Sequence, residues 1–300
     1  MTRTPAVAGA FYDRDPAALK SAIEQCFTGR FGPGALPRVT EPRVGGILGL
    51  VCPHAGYVYS GGAAAQAYAA LAQDGLPDTV VILGPNHWGL GEAVAIAAES
   101  GWETPFGVVR IDKDTAERIA SESRFAEFDD RAHAREHSIE VQLPFLQFVG
   151  GDGVSIVPIA IAHLSARDAQ MVCEDLGAAI AAAVAGKSAC VIASTDFTHH
   201  ETAASAHRKD AMAMERIIAL DGPGLIRTVY DNSISMCGVT GTGAVLQACR
   251  ALGATGAHRL AYYTSGDVEP GMAEVVGYGA LSITRQPGSD VTSSGTCASL

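Results

Sequence analysis

Three short apolar runs along the chain each end in residues that can bind metals or transfer protons. The runs are 47–52, 79–83 and 189–193, and each is followed by Pro, Gly or polar residues. Short apolar runs of this kind are typical of strands buried on both faces of an α/β sheet that helices cover. Ligands in such sheets bind just beyond the carboxyl ends of the strands. We therefore expect the polar residues after the three runs to meet in one site.

Helix-like and strand-like patterns alternate over the rest of the chain. Helices are predicted over 17–27, 60–71, 112–124, 140–149, 166–185, 203–220 and 241–252, and further strands over 154–161, 260–265 and 274–283. Residues 29–45 are rich in Gly and Pro, which predicts a loop before the first of the three strands. Because no linker is evident inside the body, we predict one domain over residues 1–285 and a disordered tail over 286–300.

Composition and charge narrow the range of functions. The 300 residues are 48% hydrophobic and carry a net charge of −11, so neither nucleic acid nor an anionic membrane is an expected partner. The apolar stretches are too short to span a membrane, and the first residues lack the apolar segment of a signal peptide. Seven scattered cysteines do not have the pattern of a disulfide framework. Together these features favour a cytoplasmic protein with reduced thiols.

His54 and His87 occupy matching positions after the first two of the three strands. Pro53 precedes His54, and Pro85 and Asn86 precede His87. A single histidine at a strand end is more often a hydrogen-bonded structural residue than a ligand. Two histidines in matching positions favour a metal site instead, since imidazole binds iron, copper and zinc.

Cys237 is the best candidate for a third metal ligand. It precedes a predicted helix, whose positive N-terminal end is expected to lower the pKa of the thiol toward the thiolate that metals bind. The alternative is a buried and inert cysteine. The Gly241-Thr242-Gly243 stretch that follows lacks the spacing and the lysine of a phosphate-binding loop.

Asp196 and His199 follow the third strand and form a candidate acid/base pair. An Asp three residues before a His can orient the imidazole for proton transfer, and His200 is the neighbouring alternative. In a purely structural interpretation, Asp196 caps the helix that follows.

A second cluster of metal-capable residues consists of His133, Glu136, His137 and Glu140. Their spacing would place them on one face of a helix. The histidine-and-glutamate signatures of zinc proteases are absent from this cluster. Charged residues around 129–131 predict a solvated loop just before it. We therefore predict that this cluster lines a pocket rather than binds the metal.

Six segments together resemble the Memo family, whose microbial members are known as AmmeMemoRadiSam system protein B. In chain order they are 8–12, 53–57, 83–87, 136–140, 194–197 and 275–278. They are spread over residues 6–284, so the resemblance covers nearly the whole chain except the tail. It implies a single α/β domain with a central mixed β-sheet flanked by helices, similar in fold to the class III extradiol dioxygenases, which open catechol rings with non-haem Fe(II).

The resemblance also implies a set of site residues and partners. In Memo proteins two histidines and one cysteine bind the metal, and these match His54, His87 and Cys237. The nearby Asp and His match Asp196 and His199, which are expected to be catalytic. AMMECR1-like and radical-SAM proteins are implied as partners. The residues expected to line the pocket are Tyr57, Asn86, His137 and Glu140.

The expected metal is Fe(II), with Cu(I) or Cu(II) as the alternative and Zn(II) less favoured. The dioxygenases have a carboxylate where this chain has Cys237, and a thiolate shifts the preference toward softer ions. Ring cleavage therefore does not follow from the fold. One hypothesis is a non-haem Fe(II)-dependent oxidoreductase for a small molecule such as a phenol, and the other is a non-catalytic copper or iron carrier. A zinc hydrolase ranks last because a clear second carboxylate is missing.

Overall fold

A computed structural model describes residues 2–285, so the tail predicted over 286–300 lies outside the described residues. The helices are α1 (Pro16–Thr28), α2 (Tyr57–Asp74), α3 (Lys113–Glu122), α4 (Leu143–Gly150), α5 (Ala166–Val184), α6 (Ala203–Ile218), α7 (Gly222–Asp231), α8 (Val239–Ala251) and α9 (Ser265–Val268). The strands are β1 (Thr2–Arg3), β2 (Ile47–Cys52), β3 (Thr79–Pro85), β4 (Val94–Ile96), β5 (Gly101–Thr104), β6 (Gly107–Arg110), β7 (Ala126–Phe128), β8 (Ser155–Ile161), β9 (Ala189–Ser194), β10 (Gly256–Thr264) and β11 (Gly277–Thr284).

A mixed sheet forms the centre of the described part of the chain. Its eight strands lie in the order β10-β11-β2-β9-β3-β8-β4-β7. The middle strands β2, β9, β3 and β8 are parallel to their neighbours in this group, whereas β11 joins β2 and β4 joins β8 antiparallel. The predicted fold class is thereby confirmed: a single α/β domain with a mixed central sheet flanked by helices.

Helices cover the sheet with two apolar clusters. One cluster contains Leu176, Leu225 and Leu246 from α5, α7 and α8, and the other contains Tyr68 and Phe145 from α2 and α4. Every residue of β2 and β3 is buried. This two-sided burial explains why both strands are continuously apolar rather than alternating. None of the helices described over residues 2–285 is long and apolar enough to cross a membrane.

The sequence patterns located the long elements and missed several short ones. The predicted helix over 140–149 begins as a 3-10 turn over Glu140–Gln142 before α4 starts. Helix α7 was missed because Gly, Pro and Gly open it, although Asp221 caps it by accepting from the backbone of Gly224. Strands β1, β4, β5, β6 and β7 have two to four residues each, too few for an alternating pattern to be recognised.

Parallel pairing brings three strand ends to the same edge of the sheet. Strands β2 and β9 end opposite each other at Cys52 and Ser194. Strand β3 runs parallel to β9 on its other side. His54, Asp196 and His87 each lie two residues beyond the end of one of these strands. The predicted meeting place therefore lies where α/β sheets bind ligands.

Candidate metal centre

Three histidine rings, those of His54, His87 and His137, converge beyond this edge. Each offers one ring nitrogen, and the three nitrogens lie within 4.8 Å of one another. The His54 ring meets the other two edge-on at centroid distances of 5.4 Å, while His87 and His137 stack at 4.7 Å. Metal–nitrogen bonds are about 2.0–2.1 Å long, so this spacing is close to what one shared ion requires. The donor set fits a transition-metal ion.

Ser194 determines the tautomer of His54. The Ser194 hydroxyl donates to the carbonyl of Ser138 at 2.6 Å and accepts from Gln142 Nε2 at 2.8 Å. With its single proton used, the hydroxyl accepts from Nδ1 of His54 at 3.0 Å. Burial, helped by the two neighbouring rings, lowers the pKa of His54 well below its usual range. The ring is therefore neutral at pH 7, and its Nε2 carries the free lone pair.

Glu136 holds the other two rings. Its buried carboxylate accepts from the backbone N and Nδ1 of His87 at 2.6 and 2.9 Å. It also accepts from the backbone N of His137 at 2.8 Å and lies 3.2 Å from Nδ1 of that ring. Burial disfavours the charged form, but His87 and His137 outweigh it and lower the pKa of Glu136 to about 2. A carboxylate at both Nδ1 atoms leaves both Nε2 atoms as potential ligands.

We expect Glu136→Gln to weaken metal binding about 10–100-fold, because the amide lacks the negative charge that faces both rings and its NH2 group cannot accept from the backbone N of His87 as Oε2 does. Anaerobic titration calorimetry with Co(II) would measure the dissociation constant. Glu117→Gln is the matched control, since Glu117 is exposed on α3. Equal affinity of Glu136→Gln and the control would show that the carboxylate does not orient the rings.

Cys237 lies against His54, with Sγ 3.4 Å from Nε2. The sulfur also accepts from the backbone N of Asp196 at 3.3 Å and lies 3.7 Å from the hydroxyl of Thr195. Burial raises the pKa of Cys237 to about 12, so the expectation that helix α8 would lower it is wrong. Desolvation outweighs the helix end because the thiolate would lose its hydration. Binding of a metal at this sulfur would have to displace the proton.

Asp196 and His199 lie at the same edge, but their hydrogen bonds differ from the predicted ones. Asp196 accepts from the backbone N of His54 at 2.9 Å, and burial raises its pKa to about 6. Nδ1 of His199 donates to the carbonyl of Ser235 at 2.8 Å, which leaves its Nε2 free. Ser235 therefore orients His199, while Asp196 acts on it only through its charge. The capping interpretation of Asp196 is wrong, because Thr202 caps α6.

Of the four residues expected to line the pocket, His137 joins the cluster itself. Tyr57 is buried and donates its hydroxyl to a backbone carbonyl at 2.8 Å. Asn86 closes the turn after β3, because its side chain bonds to the backbone of residues 88–90. Glu140 is buried in a separate network with the N-terminal segment. The polar atoms of these three residues are thus engaged within the fold.

The second metal-capable cluster does not form the predicted helical face, because residues 133–139 are turns and irregular backbone. His133 is fully buried, and its Nε2 donates to the carbonyl of Ala95 at 3.1 Å. Glu136, which sequence reasoning assigned to a pocket wall, instead fixes two metal-capable rings. The adjacency of Glu136 and His137 was a usable signal for this role, whereas nothing local marked Ser194.

Comparisons with known proteins identify the family and the fold. The family described as Memo-like protein matches residues 3–282. A MEMO1 family protein of Methanopyrus kandleri is 46% identical over 287 residues, which cover 95% of this chain and 100% of the relative. A MEMO1 family protein of Methanothermobacter thermautotrophicus is 45% identical, with 94% and 100% covered. Among solved structures, an uncharacterised protein of Escherichia coli K12 matches with a TM-score of 0.53 at 12% sequence identity. The match covers 79% of this chain and 99% of that chain. At this identity the two proteins are similar in fold alone.

Proposed function

Because this chain belongs to the Memo-like protein family, we propose that it is a redox protein that binds one iron or copper ion at His54, His87 and Cys237. The convergence of the rings carries the proposal, since their nitrogens lie within 4.8 Å of one another and the thiol touches His54. His137 is the third imidazole of that group of rings, and Cys237 meets the group through its contact with His54. Imidazole and thiolate are ligands that suit iron and copper. A bound ion would supply Lewis acidity and one-electron redox chemistry.

An Fe(II)-dependent oxidoreductase is the activity that the surrounding residues support best. His199 is half-buried, and its free Nε2 can accept or return a proton during turnover. Glu136 and Ser194 hold the ligand rings in single tautomers, so the donor set is formed before any metal or substrate arrives. A small molecule such as a phenol is the expected substrate class.

A non-catalytic copper or iron carrier is the second candidate. The thiol of Cys237 against His54 favours it, because sulfur donors prefer soft ions such as Cu(I). The His87 side chain is 33% exposed, which would let a partner approach the ion. An AMMECR1-like or radical-SAM protein would be the receiving partner in this case. Measurement of O2 consumption by the iron-loaded protein with a panel of phenols separates the two candidates. Consumption of O2 would support the oxidoreductase, and no consumption with any phenol would favour the carrier.

Elemental analysis of protein purified without oxygen tests the metal site directly. We expect about one equivalent of iron in the wild type and less than about a tenth of that in Cys237→Ala, because metal sites lose their ion when a ligand is removed. His258→Ala is the control, since His258 is exposed on β10, and it should keep its iron. Copper in place of iron would favour the carrier. A wild type that contains no metal and rejects added Fe(II) and Cu(I) would contradict the proposal.

A further inference from the structure

The N-terminal strand β1 contacts the segment that carries Glu136 and His137, more than 130 residues further along the chain. Arg3 is only 4% exposed, although arginine is usually a surface residue. Its guanidinium donates from Nε to the carbonyl of His133 at 2.8 Å and from Nη2 to the carbonyl of Glu136 at 2.5 Å. The same group lies 4.2 Å above the ring of Trp102. One side chain thus holds the backbone at two positions, four residues and one residue before His137.

A buried carboxylate ties down the other end of the segment. Glu140 has no exposed surface and pairs with Nη1 of Arg3 at 2.7 Å. It also accepts from the backbone N of Ala6 at 2.8 Å, from that of Val7 at 3.0 Å and from the hydroxyl of Tyr12 at 2.7 Å. All four donors come from residues 3–12. The N-terminal segment therefore binds the histidine segment on both sides of His137.

Phe11 brings the same segment into contact with the metal-capable rings. Its ring centroid lies 4.5 Å from that of His137, whose ring also stacks on His87. The carbonyl of Phe11 accepts from the backbone N of Tyr57 at 2.9 Å, three residues beyond His54. The His137 ring is therefore in contact with an N-terminal ring as well as with a ring of the cluster.

We propose that residues 3–12 form an N-terminal clamp that positions His137 for metal binding, with Arg3 as its positioning residue. The inference rests on the proposed function, since it requires that a metal binds at this cluster. Residues 133–139 form turns and irregular backbone, so helix or strand hydrogen bonds do not hold this segment. The Arg3 guanidinium supports this backbone together with the Glu136 carboxylate, because its rigid fork can serve two carbonyls and a carboxylate at once.

The clamp makes metal binding and N-terminal order depend on each other. A ligand that binds better when the clamp is closed must favour the closed state by the same factor. Bound metal should therefore slow hydrogen exchange at the amides of Ala6 and Val7, which bond to Glu140. This measurement uses the wild-type protein with Co(II) as the probe. Exchange at both amides that is unchanged by saturating Co(II) would overturn the clamp.

A double-mutant cycle tests whether Arg3 acts through His137. We expect Arg3→Met to weaken Co(II) binding about tenfold or more in the wild-type background, as loss of outer-shell support does. In a His137→Ala background the same change should have little further effect, because the positioned ring is gone. Arg118→Met is the matched control, since the exposed Arg118 also donates to a carbonyl, that of Ala182, and it should leave affinity unchanged.

The outcomes separate the clamp from the proposed function. Wild type that binds neither Co(II), Fe(II) nor Cu(I) contradicts the metal site itself. Wild type that binds metal while Arg3→Met binds it equally well overturns the clamp alone. An equal loss in both backgrounds also overturns it, because Arg3 would then act on folding and not on His137. If Arg3→Met does not fold, Arg3→Lys serves in the same cycle, since it keeps the charge opposite Glu140 but lacks the fork.

Discussion

His54→Ala is expected to weaken metal binding by at least about a hundredfold, more than the loss of any outer-shell partner. The ring is 1% exposed, lies between Cys237 and the other two rings, and is held by Ser194 with Nε2 unprotonated. His54 is therefore the donor that contacts both Cys237 and the rings of His87 and His137. Titration calorimetry and elemental analysis of anaerobically purified protein would measure the loss.

The main risk in this experiment is a folding defect, because Ser194 and Cys237 both contact the removed ring. Circular dichroism and the urea midpoint of the metal-free protein would show whether the variant is folded. His258→Ala again serves as control, since its ring is exposed on β10. A folded His54→Ala protein that retains one equivalent of metal would exclude this histidine as a ligand.

Glu140→Ala is expected to lower the free energy of unfolding by about 3–5 kcal/mol. The change leaves the Arg3 guanidinium buried without its counter-ion. It also removes the acceptor from two backbone amides and from the hydroxyl of Tyr12. Buried polar groups without partners are costly, and here several lose the same partner together. Urea denaturation of the metal-free protein would give the difference.

Glu117→Ala is the control for this stability measurement, because Glu117 is exposed on α3. Its effect should stay within about 0.5 kcal/mol, as is usual for surface positions. If Glu140→Ala lowers the free energy of unfolding by less than about 1 kcal/mol, water must replace the carboxylate in the variant. The hydrogen-bond network of Glu140 would then be more accessible to water than its burial indicates.

The architecture could be predicted largely from local pattern. Strands β2, β3 and β9 were recognisable because burial on both faces requires a continuous apolar run. Helices α1 and α5 were recognisable because a covering helix buries mainly one face, and α2 was recognisable because it is rich in alanine. Short strands such as β4 and β7 contain too few residues for any period to be read, and pairing with neighbours far along the chain creates them.

Local pattern also predicted part of the candidate site. His54, His87 and Asp196 could be placed together from sequence, because each follows a buried strand and parallel strands share one edge. The sequence placed His137 only among the pocket-lining residues and not with the metal-capable rings, since it lies on irregular backbone that Arg3 and Glu140 hold. The helical spacing from His133 to Glu140 was misleading, because that segment never forms a helix.

The sequence by itself determined the layered fold and the edge at which polar side chains gather, and it identified His54 and His87, two of the three histidines that converge there. Only the tertiary structure decided the orientation and the protonation of these side chains. Ser194 orients one ring, Glu136 orients two, and burial raises the pKa of Cys237 where its helix alone would lower it. The reason is physical: residue types and periods are local properties, whereas tautomer, desolvation and hydrogen-bond partners depend on atoms from distant parts of the chain.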